Sequence, residues 1–543
     1  MIAATIGGHE EHDHVGAAMR VNGVDHDVEE RDGTLLDALR AIGVRSAKDG
    51  CAPQGQCGCC TVLVDGAPRV ACVTPLRRVA DREITTLEGF APEVRDRWAD
   101  AFTQVGASQC GFCTPGIIVR LEGLRSRTPD AATDRIAVDR ALSAHLCRCT
   151  GWQTIVEAAE LVSGAGDVVG AGDRDAAAGA RRATMELGAP QRVGRDVALG
   201  AAGFSSDTVP EGTLVALPSR SADGPEWVTG EDVAAARVAA GVVQGRRSTL
   251  DALPPITLPP GEWAARLQTS WVDPAYLEPD GSWCEPGGDP SSPAANGGAF
   301  GGKRTSPVPA AARGLANELG RPVEARWSRE DCARRSAKRP PIAGGMRADG
   351  TGEVRVARTD GVADAIRLAA PGVDVIEVDV PGPPTSLHLR AAGWAEGVLL
   401  SVAAGAASPL VEAVGDAVAV RQPDGGQASV EVRPGSVLVR VQAGDPLDEV
   451  VLRSYCIGAV HMALGWVCSE SLTVDADGEV HDLTVRSFGV LRAADMPHVE
   501  VEVVDGEGPP LPVSDAVFVA TAAAEWRRQG CPSTFPTGTL PEL

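Results

Sequence analysis

Residues 49–72, DGCAPQGQCGCCTVLVDGAPRVAC, contain the stretch around which the chain is organised. Four of its cysteines, Cys51, Cys57, Cys60 and Cys72, follow the pattern C-x5-C-x2-C-x11-C. Cysteine thiolates that converge on one point are the ligands of iron–sulfur clusters. Glycines beside such ligands let backbone amides approach the sulfurs and tune the cluster. The spacing therefore predicts that this loop holds a [2Fe–2S] cluster.

Two questions about this loop stay open: which of its cysteines are ligands, and which metal they bind. The first gap is one residue longer than in the plant-type pattern C-x4-C-x2-C, and Cys59 is a surplus cysteine. We assign Cys57 and Cys60 because GQCGCC keeps the frame G-x-C-G-x-C, which makes Cys59 a bystander. A zinc site is the alternative for the whole group. The long loop and its flanking glycines favour iron–sulfur.

A second group of cysteines lies in two short motifs, QCGFCTPG at 109–116 and HLCRCTGW at 145–152. Each motif stands at the start of a segment with helical periodicity. The N-terminus of a helix presents free N–H groups and the positive end of its dipole, which suits an anionic cluster. The sequence therefore predicts a second [2Fe–2S] centre, with ligands Cys110, Cys113, Cys147 and Cys149.

The segments around the cysteines have recognisable local patterns. MRVNGVDHDVEE alternates about Asn22-Gly23, a dipeptide typical of hairpin turns, and Thr34 can cap a helix over LLDALRAIG. Further on, apolar stripes at helical spacing recur in EVRDRWADAFTQVG, GIIVRLEGLRS, RIAVDRALSAHL and TIVEAAELV. We expect a compact α+β unit over 18–92 and a helical unit over 93–163.

Composition excludes several classes of function. The net charge of −23 argues against nucleic acid, which needs a basic surface, and suggests a partner with a basic face. No apolar run approaches a membrane span, and no secretory signal precedes the first motif. Cysteines used as metal ligands point to a reducing compartment, so we expect a cytoplasmic protein. Residues 1–17, with HEEHDH, are expected to be a disordered tail, and the Gly/Ala/Asp-rich segment 164–183 a linker.

The motifs GQCGCCTVLVDG, ITTLEG, QCGFCTPG and LCRCTG together resemble the iron–sulfur subunit of the xanthine dehydrogenase and aldehyde oxidase family of molybdenum hydroxylases. The resemblance implies an α+β multidomain fold: a β-grasp [2Fe–2S] ferredoxin-like domain over 18–92, then a four-helix [2Fe–2S] bundle over 93–163. It also implies that Gln109 touches a molybdopterin cofactor. His145 departs from the asparagine usual before LCRCTG, and we interpret it as a structural variant.

Residues 184–543 resemble a shortened α+β molybdopterin-binding region of the same family. YLEP, NGGAFGGK, RPVEARWSRED and LHLRAAGWAEG follow in the family's order. The resemblance implies that Phe300 and Gly301 face the metal and that Arg390 polarises the substrate. It implies Glu507 as general base, although DGEGPP departs from the family's G-V-G-E-P-P. GGAFGGKR nearly matches a P-loop, but Arg304 replaces the Ser or Thr that binds Mg²⁺, which argues against a nucleotide site.

The resemblance implies an oxidoreductase component that passes electrons from a molybdopterin centre, as cytosine dinucleotide or plain pterin, through two [2Fe–2S] clusters. Because the chain has no recognisable flavin domain, the acceptor is expected to be a separate flavoprotein, cytochrome or other carrier. A separate molybdenum catalytic subunit and an oligomeric assembly are expected as well. The alternative is a complete compact hydroxylase that itself acts on an N-heterocycle or aldehyde. A third alternative is a stand-alone redox sensor.

Overall fold

The computed structural model describes residues 17–28, 33–168, 174–220, 226–241, 248–291, 297–504 and 506–543. The predicted disordered tail and its HEEHDH motif lie outside these residues, except for Ala17, which begins the first strand. The fold class predicted from the sequence, a multidomain α+β chain with two cysteine-rich units followed by a longer region, is confirmed.

The first unit is a five-stranded mixed sheet in the order β2-β1-β5-β3-β4, packed against one helix. Its strands are β1 (Ala17–Val21), β2 (Val24–Val28), β3 (Thr61–Val64), β4 (Ala67–Val70) and β5 (Glu83–Thr85), and its helix is α1 (Leu35–Ala41). Asn22 and Gly23 form the turn between β1 and β2, both at positive φ, as the hairpin pattern predicted. Thr34 caps α1 reciprocally with Asp37, the arrangement of a capping box.

The helical unit that follows is confirmed in all four segments. Its helices are α2 (Pro92–Val105), α3 (Thr114–Arg127), α4 (Arg135–Leu142) and α5 (Gln153–Glu160). Helix α2 packs against α5, and α3 packs against both α4 and strand β3. The contact between α3 and β3 brings the two cysteine-rich units against each other.

The predicted linker 164–183 is wrong in its second half. Helix α6 (Ala176–Leu187) begins there, and Asp175 caps it by accepting hydrogen bonds from two backbone amides. The alanine-rich sequence has high helix propensity. A Cβ on Gly179 would lie 3.0 Å from the Asp448 carboxylate, so this glycine marks tight packing rather than a flexible link. A short helix α7 (Arg195–Ala198) follows.

The remaining region contains three sheets. The second sheet, in the order β7-β6-β10-β9, is built from β6 (Leu214–Pro218), β7 (Trp227–Gly230), β9 (Gly281–Cys284) and β10 (Val323–Arg326). The third, in the order β13-β12-β11-β8-β19, is built from β8 (Ala265–Thr269), β11 (Ile342–Met346), β12 (Gly352–Ala357), β13 (Val373–Val378) and β19 (Thr534–Phe535). The fourth follows chain order and comprises β14 (Val411–Val414), β15 (Ala417–Arg421), β16 (Gln427–Arg433), β17 (Ser436–Gln442) and β18 (His498–Val503).

Helices cover these sheets and connect them. They are α8 (Val233–Ala240), α9 (Val308–Leu319), α10 (Arg329–Arg335), α11 (Val362–Ala369), α12 (Trp394–Ala404), α13 (Glu449–Cys468) and α14 (Ser514–Arg528). Helix α13 contacts α2, α6 and α14, so it ties the cysteine-rich units to the later sheets. It is the one helix in the described ranges with the length and apolarity of a membrane span, but 89% of its apolar window is buried within the protein. It is therefore interpreted as a core helix.

Candidate iron–sulfur centres and the adjoining cavity

The structure brings the first four predicted ligands together in the interior. Cys51, Cys57, Cys60 and Cys72 are each at most 2% exposed. The thiol of Cys51 is hydrogen-bonded to those of Cys57 and Cys72, and Cys72 is also hydrogen-bonded to Cys60. Hydrogen bonding from Cys57 holds the pKa of the Cys51 thiol well below its usual range. The same contacts raise the pKa of Cys57 and Cys72, so these hydrogen bonds favour a single thiolate, at Cys51.

Backbone amides surround the same sulfurs. The amides of Gln56 and Cys57 donate to Cys51 Sγ over 3.1 and 3.3 Å, and the amide of Cys72 donates to Cys60 Sγ over 3.4 Å. Such donors stabilise the extra negative charge of a reduced cluster and set its potential. The expectation that the glycine-flanked loop presents amides to the sulfurs is met at three positions.

The second predicted ligand set also converges, in two pairs. Cys110 Sγ and Cys149 Sγ are 3.6 Å apart, and Cys113 is hydrogen-bonded to Cys147. Hydrogen bonding from Cys113 lowers the pKa of Cys147 to about 6. Cys113 is the N-cap of α3, as the sequence predicted, whereas Cys149 lies four residues before the start of α5.

The pairwise arrangement bears on the choice between zinc and iron. In the described part of the chain, no three His, Cys, Asp or Glu side chains surround a point where a single metal ion could sit. A structural zinc needs four ligands around one ion. A [2Fe–2S] cluster contains two irons, and four thiols grouped as two pairs fit two metal atoms. The second group therefore fits a [2Fe–2S] cluster better than zinc, whereas the thiols of the first group form one continuous set in the order Cys57, Cys51, Cys72 and Cys60.

The surplus Cys59 is fully buried and lies between the two groups. It interacts electrostatically with Cys51 and Cys60 of the first group and with Cys110 of the second. Its thiol donates a weak hydrogen bond, 3.9 Å long, to the Cys57 carbonyl. Burial contributes to the raised pKa of this thiol. Its role as a bystander stays a prediction.

A backbone hydrogen bond joins the loops that carry the two groups. The amide of Leu146 donates to the carbonyl of Cys57 over 3.0 Å. Beside it, the buried ring of His145 lies on Gly58, where a Cβ would be 2.5 Å from the ring, and its Nε2 is 3.0 Å from Thr61 Oγ1. Burial lowers the pKa of His145 to about 3, so the ring is neutral at pH 7. The neutral ring of His145 therefore fills the space between the two ligand loops.

Gln109, predicted to touch molybdopterin, is buried next to Cys110. Its Nε2 donates to the Cys149 carbonyl and to Ser454 Oγ, both over 3.0 Å. Its Oε1 has no partner, although it is fully buried. A buried amide oxygen is costly to leave unpaired. Gln109 thus retains one unpaired acceptor, and it lines a different cavity from that of Phe300 and Arg390.

Phe300 and Arg390 line one cavity, together with Arg148, Asp273, Arg339, Met462, Trp466 and Glu470. The Arg390 guanidinium lies 4.3 Å from the centre of the Phe300 ring, and its Nε is 3.1 Å from Asp515 Oδ1. The cavity has room for about two water molecules. The polar groups that line the cavity therefore suit the predicted cofactor in chemistry, but the cavity is smaller than a pterin ring system.

That loop is packed tightly on the second cysteine group. A Cβ on Gly298 would lie 2.6 Å from Cys149 Sγ, and one on Gly301 would overlap the carbonyl of His388. Lys303 is 2% exposed and is bound to Glu278 over 2.8 Å, so it is not available to a phosphate. This pairing argues further against a P-loop. The described part of NGGAFGGK begins at Gly297, so Asn296 lies outside it.

Glu507 lies apart from the other residues of the predicted molybdenum site. It lies exposed in the loop between β18 and α14 and does not line the cavity with Phe300 and Arg390. The carboxylate that approaches Arg390 is instead Asp515, eight residues later on α14. The role of Glu507 as general base remains a prediction without supporting geometry.

Sequence reasoning missed the ion pair of Arg148 with Glu470. Arg148 stands between Cys147 and Cys149 and extends into the cavity, where both of its terminal nitrogens donate to the Glu470 carboxylate. Both side chains are at most 4% exposed. The sequence shows an arginine between the two cysteines of LCRCTG, but it does not show the partner of that arginine, which is 322 residues away along the chain.

Comparisons with known proteins agree with this geometry. Residues 86–160 match a family described as "[2Fe-2S] binding domain". The chain is 38% identical to the xanthine dehydrogenase iron-sulfur-binding subunit of Escherichia coli O157:H7 over 138 residues, which cover 25% of this chain and 86% of that protein. It is 41% identical to the nicotinate dehydrogenase small FeS subunit of Eubacterium barkeri over 120 residues, which cover 22% of this chain and 74% of that protein.

Other relatives are larger. The match to the aldehyde oxidoreductase of Megalodesulfovibrio gigas, 39% identical over 142 residues, covers 25% of this chain and only 16% of that protein. In structure, the chain is similar to aldehyde oxidoreductase from Desulfovibrio gigas, with a TM-score of 0.67 and 15% identity over 94% of this chain and 97% of that one. The structural similarity covers nearly the whole chain, so the shared fold includes the region after the cysteine-rich units.

Two small iron–sulfur subunits are thus matched over most of their length, by the segment that carries both cysteine groups. The chain belongs to the xanthine dehydrogenase and aldehyde oxidoreductase family, as a member with the two-centre iron–sulfur region.

Proposed function

We propose that this chain is a cytoplasmic electron-transfer component of a molybdenum hydroxylase and delivers electrons to an acceptor outside the chain. The observation that carries the proposal is the convergence of eight buried cysteines into two groups of four. A [2Fe–2S] cluster, when bound by four such thiolates, accepts and releases one electron at a time. The chain's own contribution is to hold, bury and connect the two sites.

The residues around the sulfurs support this role in two ways. Burial of all eight ligands excludes water, while the amides of Gln56, Cys57 and Cys72 supply donors to the first group. The hydrogen bond between Cys57 and Leu146 places the two ligand loops in direct contact. The chain thus keeps both centres dry and close together, which an electron relay requires.

The second candidate function is a complete hydroxylase acting on an aldehyde or N-heterocycle. It is favoured by the convergence of Phe300 and Arg390 on one cavity and by the unpaired Oε1 of Gln109. A molybdopterin centre, when bound, would supply the oxygen-transfer chemistry. The residues that would hold it are Gln109, Phe300 and Gly301. Because the cavity is small and Glu507 lies outside it, we place catalysis on a separate molybdenum subunit and make this the second candidate.

Metal analysis of the single chain, purified without oxygen, tests both candidates. The electron-transfer function predicts four irons and four acid-labile sulfides per chain with no stoichiometric molybdenum. One molybdenum per chain, with turnover of an aldehyde or N-heterocycle, would establish the compact hydroxylase instead. A colourless chain without iron or sulfide would overturn both.

A further inference from the structure

A small cavity beside the first ligand loop is lined by three arginines. Asp49 and Gly50, which lie just before the first ligand, form one side of it, and Arg237, Arg326 and Arg329 line the rest with apolar neighbours. These arginines belong to α8, β10 and α10. The cavity has room for about one water molecule. Segments that are distant along the chain therefore meet at a space that a single monatomic ion could fill.

Arg329 is a buried cation without a carboxylate partner. It is 1% exposed, and the guanidinium of arginine stays protonated in proteins. Its Nε and Nη2 donate to the Gly50 carbonyl over 3.4 and 3.3 Å, and Nη2 also donates to the Leu277 carbonyl over 3.0 Å. Among the described residues, it forms no ion pair, and its Nη1 has no hydrogen-bond partner. Because a buried charge in this state is costly, a negative ligand at the cavity would stabilise the fold.

The carboxylate that the cavity does contain is already shared. Asp49 Oδ2 accepts from Arg326 Nη2 over 2.9 Å and from Arg237 Nη2 over 3.2 Å. Asp37 lies 3.9 Å from Arg237 Nη1 without lining the cavity, and Glu324 lines a neighbouring cavity instead. The described side chains that line the cavity thus carry three positive charges and one negative charge. This excess stands out in a chain whose net charge is −23.

We propose that Arg237, Arg326 and Arg329, here named the three-arginine cavity, bind a halide-sized anion that fixes the first ligand loop to the region after residue 184. The space for one water molecule is too small for a phosphate, a sulfate or a carboxylate ligand, each of which has several heavy atoms. A metal cation is disfavoured beside three guanidinium groups. Arg237 is 26% exposed, so the ion can exchange with solvent. The site requires no electron transfer and stands apart from the proposed function.

The test is the thermal midpoint of the intact, iron-loaded chain at constant ionic strength, with chloride replacing gluconate, which is too large for the cavity. A ligand that binds only the folded chain stabilises it by mass action. We expect the midpoint to rise by about 2 °C between chloride-free buffer and about 0.2 M chloride. Arg329→Met removes the unpaired guanidinium and should abolish this rise. Arg237→Met, at the more exposed side of the cavity, should weaken chloride binding several-fold.

The matched control is Arg355→Met. Arg355 is 30% exposed and pairs with Glu353 over 2.8 Å, much as Arg237 pairs with Asp49, but it lies on β12 and does not line the cavity. It should keep the full chloride response. Because Arg329 also holds two backbone carbonyls, Arg237→Met decides the question if Arg329→Met does not fold.

A crystal grown with bromide locates the ion directly. We expect an anomalous peak in the three-arginine cavity, and bromide peaks only elsewhere would overturn the inference. It would also be overturned by a midpoint of the unaltered chain that does not respond to chloride, or by a full response in Arg237→Met, because water alone would then account for the cavity. Iron and sulfide contents report separately on the proposed function, which none of these outcomes affects.

Discussion

The carbonyl oxygen of Cys57 accepts a hydrogen bond from the amide of Leu146 over 3.0 Å, so a ligand of the first centre touches the residue before a ligand of the second. The ring of His145 fills the space beside this contact and lies on Gly58. The separation of the two centres is therefore set by a few backbone atoms and one buried ring. This predicts that both centres, when reduced, show a magnetic interaction in their electron paramagnetic resonance spectra.

The variant Gly58→Ala should weaken that interaction. Gly58 has φ +74°, and a Cβ there would lie 2.5 Å from His145 Cδ2, so the two loops must move apart. We expect a lower thermal midpoint and a smaller magnetic splitting at full iron content. The control is Gly66→Ala, because Gly66 has φ +72° and nothing within 4 Å of its Cβ position. The control should lose only the roughly 1–2 kcal/mol of left-handed strain. Equal changes in thermal midpoint and magnetic splitting in the two variants would contradict the inference that His145 and Gly58 set the spacing of the loops.

Much of this arrangement could be predicted because its signals are local. The spacing of Cys110 and Cys113, the Asn22-Gly23 turn and the Thr34 cap each depend on residues a few positions apart, where backbone geometry limits the possible structures. Local composition also misled in one place. Glycines near 164–183 suggested a linker, but Gly179 is there because α6 packs closely against Asp448.

The contacts that could not be predicted link distant parts of the chain. Gly298 lies on Cys149, Glu470 pairs with Arg148, and Asp515 rather than Glu507 approaches Arg390. No periodicity predicts such pairings, since they form only when distant elements meet, as α13 packs against α2 and α14 packs against α13. The family motifs pointed to Arg390 and Phe300, which line one cavity, but the roles of both residues stay predictions. The distorted glutamate motif gave no guide to where Glu507 lies.

Single-cysteine variants should separate the ligands from the surplus cysteine. Cys60→Ala is expected to remove a ligand and lower iron from four to about two per chain, because each centre contains two irons. Cys59→Ala is expected to keep all four irons and to cost on the order of 1 kcal/mol for the lost buried sulfur. Iron and sulfide assays of the two variants check this. Loss of iron in Cys59→Ala alone would reverse the assignment of Cys59 and Cys60.

His461 should make the fold sensitive to mild acid. Its ring is fully buried on α13, its Nε2 is 3.0 Å from the Leu491 carbonyl, and burial lowers its pKa to about 4. Between the ordinary pKa of about 6.5 and pH 4, the unfolded chain binds a proton that the folded chain does not. This group therefore destabilises the fold by up to roughly 1.4 kcal/mol per pH unit as the pH falls through that window.

The variant His461→Gln isolates this contribution, because glutamine can donate to the same carbonyl but does not titrate. We expect the thermal midpoint of the variant to fall less than that of the unaltered chain between pH 6.5 and 4.5. His145, which is also buried, stays in both proteins, so its contribution cancels in the difference. Parallel pH profiles would show that His461 is not the group responsible.

The ion pair between Arg148 and Glu470 should influence the reduction potential of the second centre. Glu470→Gln keeps the shape of the side chain but leaves the buried guanidinium of Arg148, the residue between the ligands Cys147 and Cys149, without the counter-charge of Glu470. Breaking one partner of a buried pair costs about 3–5 kcal/mol. The uncompensated positive charge also favours the extra electron, so the reduction potential of the second centre should rise while that of the first changes little. Redox titration followed by electron paramagnetic resonance measures both potentials in one sample. The double variant Arg148→Met/Glu470→Leu removes both charges and should return the potential toward its original value, which a purely structural effect of Glu470→Gln would not produce.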